Sequence, residues 1–561
     1  MKILAGGQLY RAYLSEARRR VHRSVALTRL RLFRASVRAP ERLIVAPTDL
    51  RPIDAFVAEE ILEGRFPLAG RVLDTNGTSP FFLELPSRPF AMRLHAFSWI
   101  RHLRALRSPE ASAAARTIVN QWLSTHGRVI DGIAWEPETV ASRLIAWLSH
   151  SPVLLNGADT VFYRRFSRSL VYQGRYLERL CGSAIEPETR FRIRIALAML
   201  TLAVPSRAGQ IRKAAARLDQ EIEAQILADG GHVSRNPRAA LDLLLDLLPL
   251  RQTYMNLGHD MPQRLISGID RMYPALRFFR HQGGDLALFN GATATLANEL
   301  MAVLRYDETS GQTFKALPHM GYQRMASGQT VVIVDSGMAQ DLETSRTAHA
   351  GTLSFEMSAG KNRFIVNAGS PRFAGNHYRQ MARASAAHST VILNETSSSR
   401  LSQSSYLGPV MAEGPKHVTV RREESAEGED RLDMSHDGYA GLFGLVHHRH
   451  LRLSQGGTRL GGRDFFTRPG GETPGAGETA TAIARFHVHP AIDLIQAGRD
   501  SVLLKAPDGE SWLFSVDGHE AVISEDIFFA DASGIRASEQ IEVRFSLAEH
   551  AEIDWQFIRQ R

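Results

Sequence analysis

The sequence predicts a multidomain protein with an N-terminal (α/α) toroid followed by a C-terminal antiparallel β-sandwich. Between residues 93 and 282 the apolar residues recur with a helical period, as in RLHAFSWIRHLRALR and VASRLIAWLSHSPVLL. After Leu317 the pattern changes to short runs of strand-forming residues separated by Gly, Ser, Asn and Asp turns. A chain of 561 residues is also too long for one ordinary core. We expect a basic arm at 1–45, the toroid at 46–310 and the sandwich at 311–561.

The N-terminal arm carries the excess positive charge. The formal net charge is +8, and residues 1–45 hold eleven Lys or Arg against two Glu, so the arm has +9 and the other 516 residues about −1. Arginines fall largely between apolar residues that recur at helical spacing: Tyr10, Leu14, Ala17, Val21 and Val25. A basic amphipathic helix of this kind suits an anionic lipid surface or an acidic polymer. The alternative is a packed helix whose arginine face is solvated.

The helical half contains repeated helix starts. Pro109 follows Ser108, and the run Glu-Pro-Glu-Thr occurs at 136–139 and again at 186–189. Proline lacks the donor that a first helical turn leaves unpaired, and an acidic residue there suits the helix dipole. The spacing of 50 residues between the two runs fits a repeat of helical hairpins, as a toroid requires.

The second half reads as many short strands with no helices between them. In TLSFEM the apolar residues Leu353, Phe355 and Met357 alternate with polar neighbours, as they do in a half-buried strand. Further runs of this kind are QTVVIVDSG, STVILNE, KHVTVRREE and EQIEVRFSL. This pattern favours an antiparallel sandwich.

The composition of the chain excludes several classes of protein and of site. With 44% hydrophobic and 22% charged residues the chain is typical of globular proteins, and no stretch approaches the roughly 18 apolar residues of a membrane helix. The single cysteine, Cys181, excludes an internal disulfide framework and a cysteine-ligated zinc site. The arm matches no nucleic-acid recognition motif, so we expect no nucleic-acid partner. The start has no apolar segment typical of a secretory signal, which favours the cytoplasm or its membrane face.

The most specific segment of the chain lies between Ala348 and Arg400. It reads AHAGTLSFEMSAGKNRFIVNAGSPRF and, a few residues later, YRQMARASAAHSTVILNETSSSR. This resembles the C-terminal domain of the heparinase II/III family, in which a His-rich stretch enters an LSFE-like strand. The segments WEPETVASRLIAWLSHSP, DGGHVSRNP and LRFFRHQGGDLALFNG extend the similarity over most of residues 70–560. The resemblance implies a toroid, a sandwich and β-elimination of uronic-acid-containing polysaccharides in a cleft between them.

The implied reaction needs three groups. The C6 carboxylate must be neutralised, a base must take the C5 proton, and an acid must protonate the departing O4. Several family positions are changed in this sequence. Thr347 and Gly351 replace the first His and the Asp of the family's His-x-His-x-Asp, and Ala239 aligns with its usual tyrosine.

Nearby residues are the substitute catalytic candidates. His232 and Asn236 follow the Asp-Gly turn of the helical half, and Tyr378 is a candidate proton donor from the sandwich. A turn role for Asn236 before Pro237 is the competing interpretation.

A zinc site in the sandwich is also implied by the resemblance, although no cofactor is required for the reaction. His349 and His388 match the two zinc-binding histidines of some members, whereas Asn367 stands at the position of the aspartate. A neutral amide is a poor zinc ligand compared with a carboxylate. The alternative is that the two histidines tie adjacent strands together by hydrogen bonds.

Candidate sugar-binding residues complete the prediction. Trp135, just before a helix start, offers an aromatic face for a pyranose ring, with core packing as the alternative. Arg143, Arg235 and Arg383 are candidates for binding uronate carboxylates, because guanidinium matches them with two parallel hydrogen bonds.

Two functions remain in competition at this stage. The first is an active lyase on an acidic polysaccharide with a rearranged catalytic set. The second is a non-catalytic polysaccharide-binding protein on the same scaffold, and the changes at Thr347 and Ala239 support it. The family implies a place in the cell envelope or periplasm, whereas the start of the sequence favours the cytoplasm.

Overall fold

The computed structural model describes residues 6–32, 37–184, 186–309, 311–342, 344–373, 375–425, 428–475 and 478–560. Residues 1–5 and 33–36 of the basic arm therefore lie outside the described residues. No helix in the described ranges is long and apolar enough to span a bilayer.

The N-terminal half is helical, as predicted. Its helices are α1 (Gly6–Leu32), α2 (Ala55–Leu62), α3 (Arg88–Ala96), α4 (Ile100–Leu106), α5 (Pro109–Thr125), α6 (Pro137–Ser149), α7 (Ser151–Leu155), α8 (Thr160–Leu180), α9 (Pro187–Ala203), α10 (Ala208–Gln225), α11 (Ala239–Leu257), α12 (Leu265–Phe278) and α13 (Ala297–Leu304). A short antiparallel hairpin of β1 (Arg65–Leu68) and β2 (Arg71–Asp74), which the sequence pattern does not predict, lies among them.

Packing between the helices produces the predicted toroid. Helix α6 lies between α3 and α9, and α9 lies against α11, which forms an inner row of helices. The helices α5, α8, α10 and α12 pack outside that row. The predicted helix starts at Pro109, Pro137 and Pro187 are all confirmed, and the Ser108 hydroxyl accepts a hydrogen bond from the backbone N–H of Ala111 at 3.1 Å.

The basic arm forms α1, which packs along α8. The predicted apolar stripe does not enter the core, because the side chains of Tyr10, Leu14, Val21 and Val25 are 46% to 64% exposed. Ala26 and Leu30 are buried on another face of the helix.

Helix α1 also contacts the sandwich half. The Tyr13 ring stacks on the Tyr406 ring with 5.6 Å between centroids, and Nη2 of Arg20 donates to the Tyr406 carbonyl at 2.8 Å. The arm therefore bridges the two halves of the protein.

The C-terminal half consists mainly of strands. They are β3 (Ala316–Leu317), β4 (Tyr322–Ser327), β5 (Thr330–Asp335), β6 (Phe355–Ala359), β7 (Asn362–Val366), β8 (Val391–Leu393), β9 (Arg400–Leu401), β10 (Met411–Glu413), β11 (Val418–Glu424), β12 (Asp430–His436), β13 (Val446–Leu453), β14 (Arg459–Thr467), β15 (Thr481–Val488), β16 (Asp493–Gln496), β17 (Ser501–Lys505), β18 (Ser511–Val516), β19 (Ala521–Asp531), β20 (Gly534–Ser546) and β21 (Glu552–Arg559). Two short helices interrupt them, α14 (Asn376–Met381) and α15 (Ala440–Phe443).

Two large antiparallel sheets form the predicted sandwich. One has the order β11-β12-β13-β14-β21-β18-β17-β16, and the other β19-β20-β15-β7-β6-β5-β4-β3 with β8 paired to β15. Their inner faces share one apolar core, in which the Phe355 ring of β6 stacks on the Trp555 ring of β21 at 5.5 Å. The alternation along β13 points His447 and Arg449 into this core, where both contact Asp464.

Buried polar groups join the toroid to the sandwich. His281, which follows α12, makes hydrogen bonds to Glu356 at 3.0 Å and to Ser358 at 2.8 Å on β6. Glu356, the acid of the LSFE run, also accepts from the Leu288 backbone N–H at 3.0 Å. The carboxylate of this motif therefore holds the two halves together.

Candidate functional site

A chamber of about 340 Å³ opens between the inner helices of the toroid and the segment of the sandwich half around α14. Residues of α3, α6, α9 and α11 line it, and Arg372 and Arg379 close it from the sandwich side. The inner helices place polar residues on the side that faces the chamber, where an ordinary helix core would be apolar. Its position between the two halves and its polar lining make this chamber the candidate binding site of the protein.

The chamber is rich in charge, with cations in excess. Seven arginines and five carboxylates line it, which leaves a net charge of +2. The arginines are Arg51, Arg93, Arg101, Arg192, Arg238, Arg372 and Arg379, and the acids are Asp49, Glu138, Asp242, Asp246 and Glu299.

Several of these charges neutralise one another. Arg51 binds Asp246 at 2.8 Å, and Arg238 binds Glu299 at 2.6 Å. Arg372 shares Glu299 at 3.4 Å. Glu299 therefore forms ion pairs with two guanidinium groups at the sandwich side of the chamber.

Arg93 lacks a carboxylate partner among the residues that the structure describes. Its guanidinium lies 4.7 Å from the centroid of the Phe373 ring. Burial, together with the nearby charges of Arg372 and Arg101, lowers the pKa of Arg93 to about 9. Burial likewise lowers the pKa of Arg101, which bonds to the carbonyls of Pro52 and Ser98. A bound anion would relieve this repulsion between half-buried cations.

Thr139 supplies a second sign of an unfilled polar site. This side chain at the start of α6 is only 2% exposed and lines the chamber, yet its Oγ1 has no hydrogen-bond partner within the described residues. Buried hydroxyl groups in proteins are nearly always hydrogen-bonded. A ligand oxygen in the chamber would satisfy it.

The catalytic candidates of the helical half lie in a bonded turn. His232 is buried, its Nδ1 accepts from the Ser234 backbone N–H at 3.1 Å, and its Nε2 is 2.9 Å from Oε1 of Gln225. Burial lowers the pKa of His232 to about 3. Asn236 accepts from the Arg238 backbone N–H at 2.9 Å, which fits the turn role before α11. Both ring nitrogens of His232 are engaged within the fold, which speaks against a role as base.

Two of the arginine candidates bind the protein backbone. Arg235 pairs with the buried Asp335 of β5 and donates to the carbonyl of Met320 at 2.8 Å. Arg383 donates to the carbonyls of Ala348, Ser345 and Pro409 at 2.7 to 2.8 Å. Their donors are used to connect segments of the fold, so neither guanidinium faces a free cleft.

The third arginine and the tryptophan belong to the toroid core. Arg143 is fully buried and donates to Gln173 at 2.9 Å and to the carbonyls of His95 and Ala134. The Trp135 ring is 2% exposed, and its Nε1 donates to the His126 carbonyl at 2.8 Å. The core alternative therefore describes Trp135 in this structure, because no face of its ring is open to a sugar.

Tyr378 is the one catalytic candidate with an accessible reactive group. It lies on α14, is 41% exposed, and immediately precedes Arg379 of the chamber lining.

The candidate metal ligands come together, but as a hydrogen-bonded pair. His388 donates from Nδ1 to the Ala384 carbonyl at 2.7 Å, so its Nε2 accepts from Nδ1 of His349 at 3.1 Å. Oδ1 of Asn367 accepts from the Ser389 backbone N–H at 3.0 Å. The described residues contain no group of three His, Cys, Asp or Glu that could hold a metal. Two mutually bonded imidazoles and an engaged amide do not fit zinc.

Packing accounts for the glycine at position 351. A Cβ atom on Gly351 would lie 2.6 Å from Cδ2 of His388, so the aspartate that the family resemblance leads us to expect there would collide with this ring. The glycine at this position and the direct histidine pair are therefore one local arrangement.

The sequence interpretation missed the chamber arginines. Arg93 lies on α3, Arg238 immediately precedes α11, and Arg372 lies in a loop of the sandwich half. The three residues are far apart in the chain. An arginine on the inward side of an otherwise apolar helix could have indicated the chamber. Arg93, which lies beside the buried Phe90 and Leu94, is an example.

Comparisons with known proteins agree with this architecture. Residues 309–556 match the family described as heparinase II/III-like, C-terminal. Over 538 residues the chain is 31% identical to FtsZ-localized protein C of Caulobacter vibrioides. This alignment covers 94% of this chain and 92% of that protein.

Solved structures show the same fold. Heparinase III superimposes with a TM-score of 0.72 at 12% identity, covering 94% of this chain and 88% of that chain. A mutant of the heparan sulfate lyase HepC from Pedobacter heparinus gives a TM-score of 0.60 at 15% identity, covering 96% and 88%. The motifs, the two-domain fold and the full-length relative lead to one conclusion: the chain belongs to the heparinase II/III-like family.

Proposed function

We propose that the protein binds an acidic polysaccharide in the chamber and acts there as a recognition protein without cleaving the chain. The observation that carries the proposal is the half-buried guanidinium of Arg93, which lacks a carboxylate partner within the described residues and lies near Arg101 and Arg372. A uronate carboxylate accepts two parallel hydrogen bonds from such a group. Its negative charge also offsets the repulsion among the three cations.

The chamber lining supports binding over elimination. Among the described residues that line it there is no histidine, tyrosine or lysine. Elimination requires a base at C5 and an acid at O4, and arginine is a poor candidate for either because its proton is held too tightly. Neutralisation of the carboxylate is thus the one requirement of the reaction that the chamber meets by itself.

A lyase activity is the second candidate, and Tyr378 favours it. This exposed phenol stands next to Arg379 on α14, at the sandwich side of the chamber. A polymer that leaves the chamber on that side would pass the phenol, which could then donate a proton to the leaving oxygen.

The place of action is inferred from the relative and from α1. The relative is named as an FtsZ-localized protein, so we propose that this protein binds envelope polysaccharide where FtsZ is located. The exposed apolar stripe of α1, interspersed with arginines, supports contact with an anionic membrane surface. The family expectation of an envelope protein agrees with attachment at that surface.

Binding and cleavage can be separated in one experiment. The purified protein is titrated with heparan sulfate, hyaluronan, alginate and native exopolysaccharide by calorimetry, while absorbance is followed in the unsaturated-uronate band. We expect binding of at least one polymer with no rise in absorbance. Arg93→Gln should weaken that binding about tenfold, the loss of one charge-assisted contact worth about 1.5 kcal/mol.

Controls decide between the two candidates. Arg104→Gln removes an exposed arginine of α4 outside the chamber and should bind like the unchanged protein. Equal binding by Arg93→Gln would contradict the chamber as the site. A rise in absorbance that Tyr378→Phe abolishes would establish the lyase instead.

A further inference from the structure

A second depression lies on the outer side of the toroid, apart from the chamber. It has a volume of about 750 Å³ and lies between α8, α9 and α10, with Leu30 of α1 at its edge. We call it the outer groove. It shares no lining residue with the chamber, so its role is independent of the proposed function.

Close packing of α8 on α9 creates the floor of the outer groove. Gly174 of α8 has no room for a side chain, because a Cβ atom there would lie 2.2 Å from Cδ2 of Leu200. The helices can therefore approach closely, and Leu197, Leu200 and Val204 of α9 form an apolar floor.

The walls of the outer groove carry cations in two rows. Arg175 and Arg179 are one turn apart on α8, and Lys213 and Arg217 are one turn apart on α10. Residues four apart lie on the same face of a helix, about 6 Å from each other. With Arg194 the lining has five cations, and Glu178 is the only acid among the described lining residues.

The cations of the outer groove differ in their ion pairs. Glu178 is shared by Arg194 and Arg217. Arg194 also lies 4.0 Å from Glu221. Arg179 and Lys213 form no ion pair with the residues described, and Nη1 of Arg179 is buried without a hydrogen-bond partner. These donors point to an acidic occupant.

We infer that the outer groove docks an acidic amphipathic helix of a partner protein. Apolar side chains of that helix would pack on the floor, and carboxylates on its two flanks would meet Arg179 on α8 and Lys213 on α10. The arrangement favours a peptide over a lipid headgroup, because a headgroup presents one cluster of charge whereas these two cations lie on opposite walls of an apolar floor. Docking of an amphipathic helix in an apolar groove is a common mode of protein recognition.

The test uses defined peptides. A fluorescein-labelled peptide of about 18 residues, with leucines on one helical face and glutamates flanking it, is titrated with the full chain by fluorescence anisotropy. A scrambled peptide of the same composition and a version with lysine for glutamate are the peptide controls. We expect saturable binding of the acidic amphipathic peptide alone.

Protein variants locate the site. Arg179→Glu combined with Lys213→Glu should weaken binding about tenfold or more, whereas Arg168→Glu with Arg212→Glu makes the same charge change on exposed positions of the same helices and should have little effect. Thr201→Trp fills the outer groove without changing charge and should also abolish binding. Thermal unfolding shows that each variant folds.

Three outcomes would overturn the inference. Binding of the scrambled or lysine peptide would show that the contact is not specific. Equal losses in the two double variants would show only long-range attraction. Failure of the acidic peptide to bind would also overturn it, and binding of phosphatidylglycerol vesicles that Arg179→Glu with Lys213→Glu abolishes would then assign the outer groove to lipid.

Discussion

His349 and His388 are joined by a hydrogen bond, in which Nδ1 of His349 donates to Nε2 of His388 at 3.1 Å. His388 must keep its own proton on Nδ1, because that atom faces the Ala384 carbonyl at 2.7 Å. Both rings are buried and neutral in this arrangement. The two histidines predicted as zinc ligands therefore link the segment before β6 to the segment before β8.

The pair predicts a dependence of stability on pH. Burial lowers the pKa of His388 to about 4, below the value of about 6.5 in an unfolded chain. The unfolded state therefore binds the proton first as the pH falls, so this contribution to stability is complete above pH ~6.5 and is lost towards pH ~4. For His388 the free energy of unfolding should fall by about 1.4 kcal/mol per pH unit in that window.

Urea unfolding at several pH values between ~7 and ~4.5 measures this slope. The variant His388→Gln should be less stable at neutral pH but should show a shallower decline, because one titrating group is gone. An unchanged slope would contradict the assignment. His319, an exposed histidine, provides the matched control as His319→Gln.

Arg93→Gln should stabilise the unliganded protein while weakening polysaccharide binding. The pKa of Arg93 is lowered to about 9, mainly by burial and then by Arg372 and Arg101, so its charged form destabilises the folded state at neutral pH. Removing the charge should raise the free energy of unfolding by about 1 kcal/mol. Thermal unfolding and calorimetry together check both effects, and a less stable variant would show that Arg93 serves the fold.

The Arg235–Asp335 pair should be essential for joining the two halves. Arg235→Met leaves the carboxylate of Asp335 buried without its cation, which should cost about 3–5 kcal/mol of stability. Adding Asp335→Asn to that variant should recover part of the loss, because the uncompensated charge disappears. Denaturant unfolding of both variants measures the effect, and a full loss in the double variant would point to packing instead.

The apolar stripe of α1 should bind anionic membranes without supporting the fold. Leu14→Glu with Val21→Glu places charge on two exposed positions, so we expect at least about tenfold weaker binding to phosphatidylglycerol vesicles and an unchanged melting temperature. Leu30→Ala, at a buried position of the same helix, should lower the melting temperature. Vesicle co-sedimentation and thermal unfolding distinguish the two. A lower melting temperature in the first variant would show that the stripe is packed.

Much of the fold could be predicted from local patterns. The proline-marked starts of α5, α6 and α9 reflect chemistry within a single helical turn, and alternation in β6 reflects the two faces of a strand. The site was harder to predict. Trp135, Arg143 and Arg383 are residue types that bind sugars and uronates, but backbone carbonyls elsewhere in the fold already use their donors.

Local sequence patterns were sufficient to establish a helical toroid, a β-sandwich and the motifs of the heparinase II/III-like family. The folded structure was needed to establish which polar side chains meet an open space. A helical period shows which face of a helix turns inward, but it does not show whether that face meets a packed core or an axial chamber. Arg143 and Arg93 both turn inward on neighbouring helices, yet Arg143 donates to two backbone carbonyls and Gln173 inside the core while Arg93 faces the chamber. That difference depends on where segments distant in the chain come together.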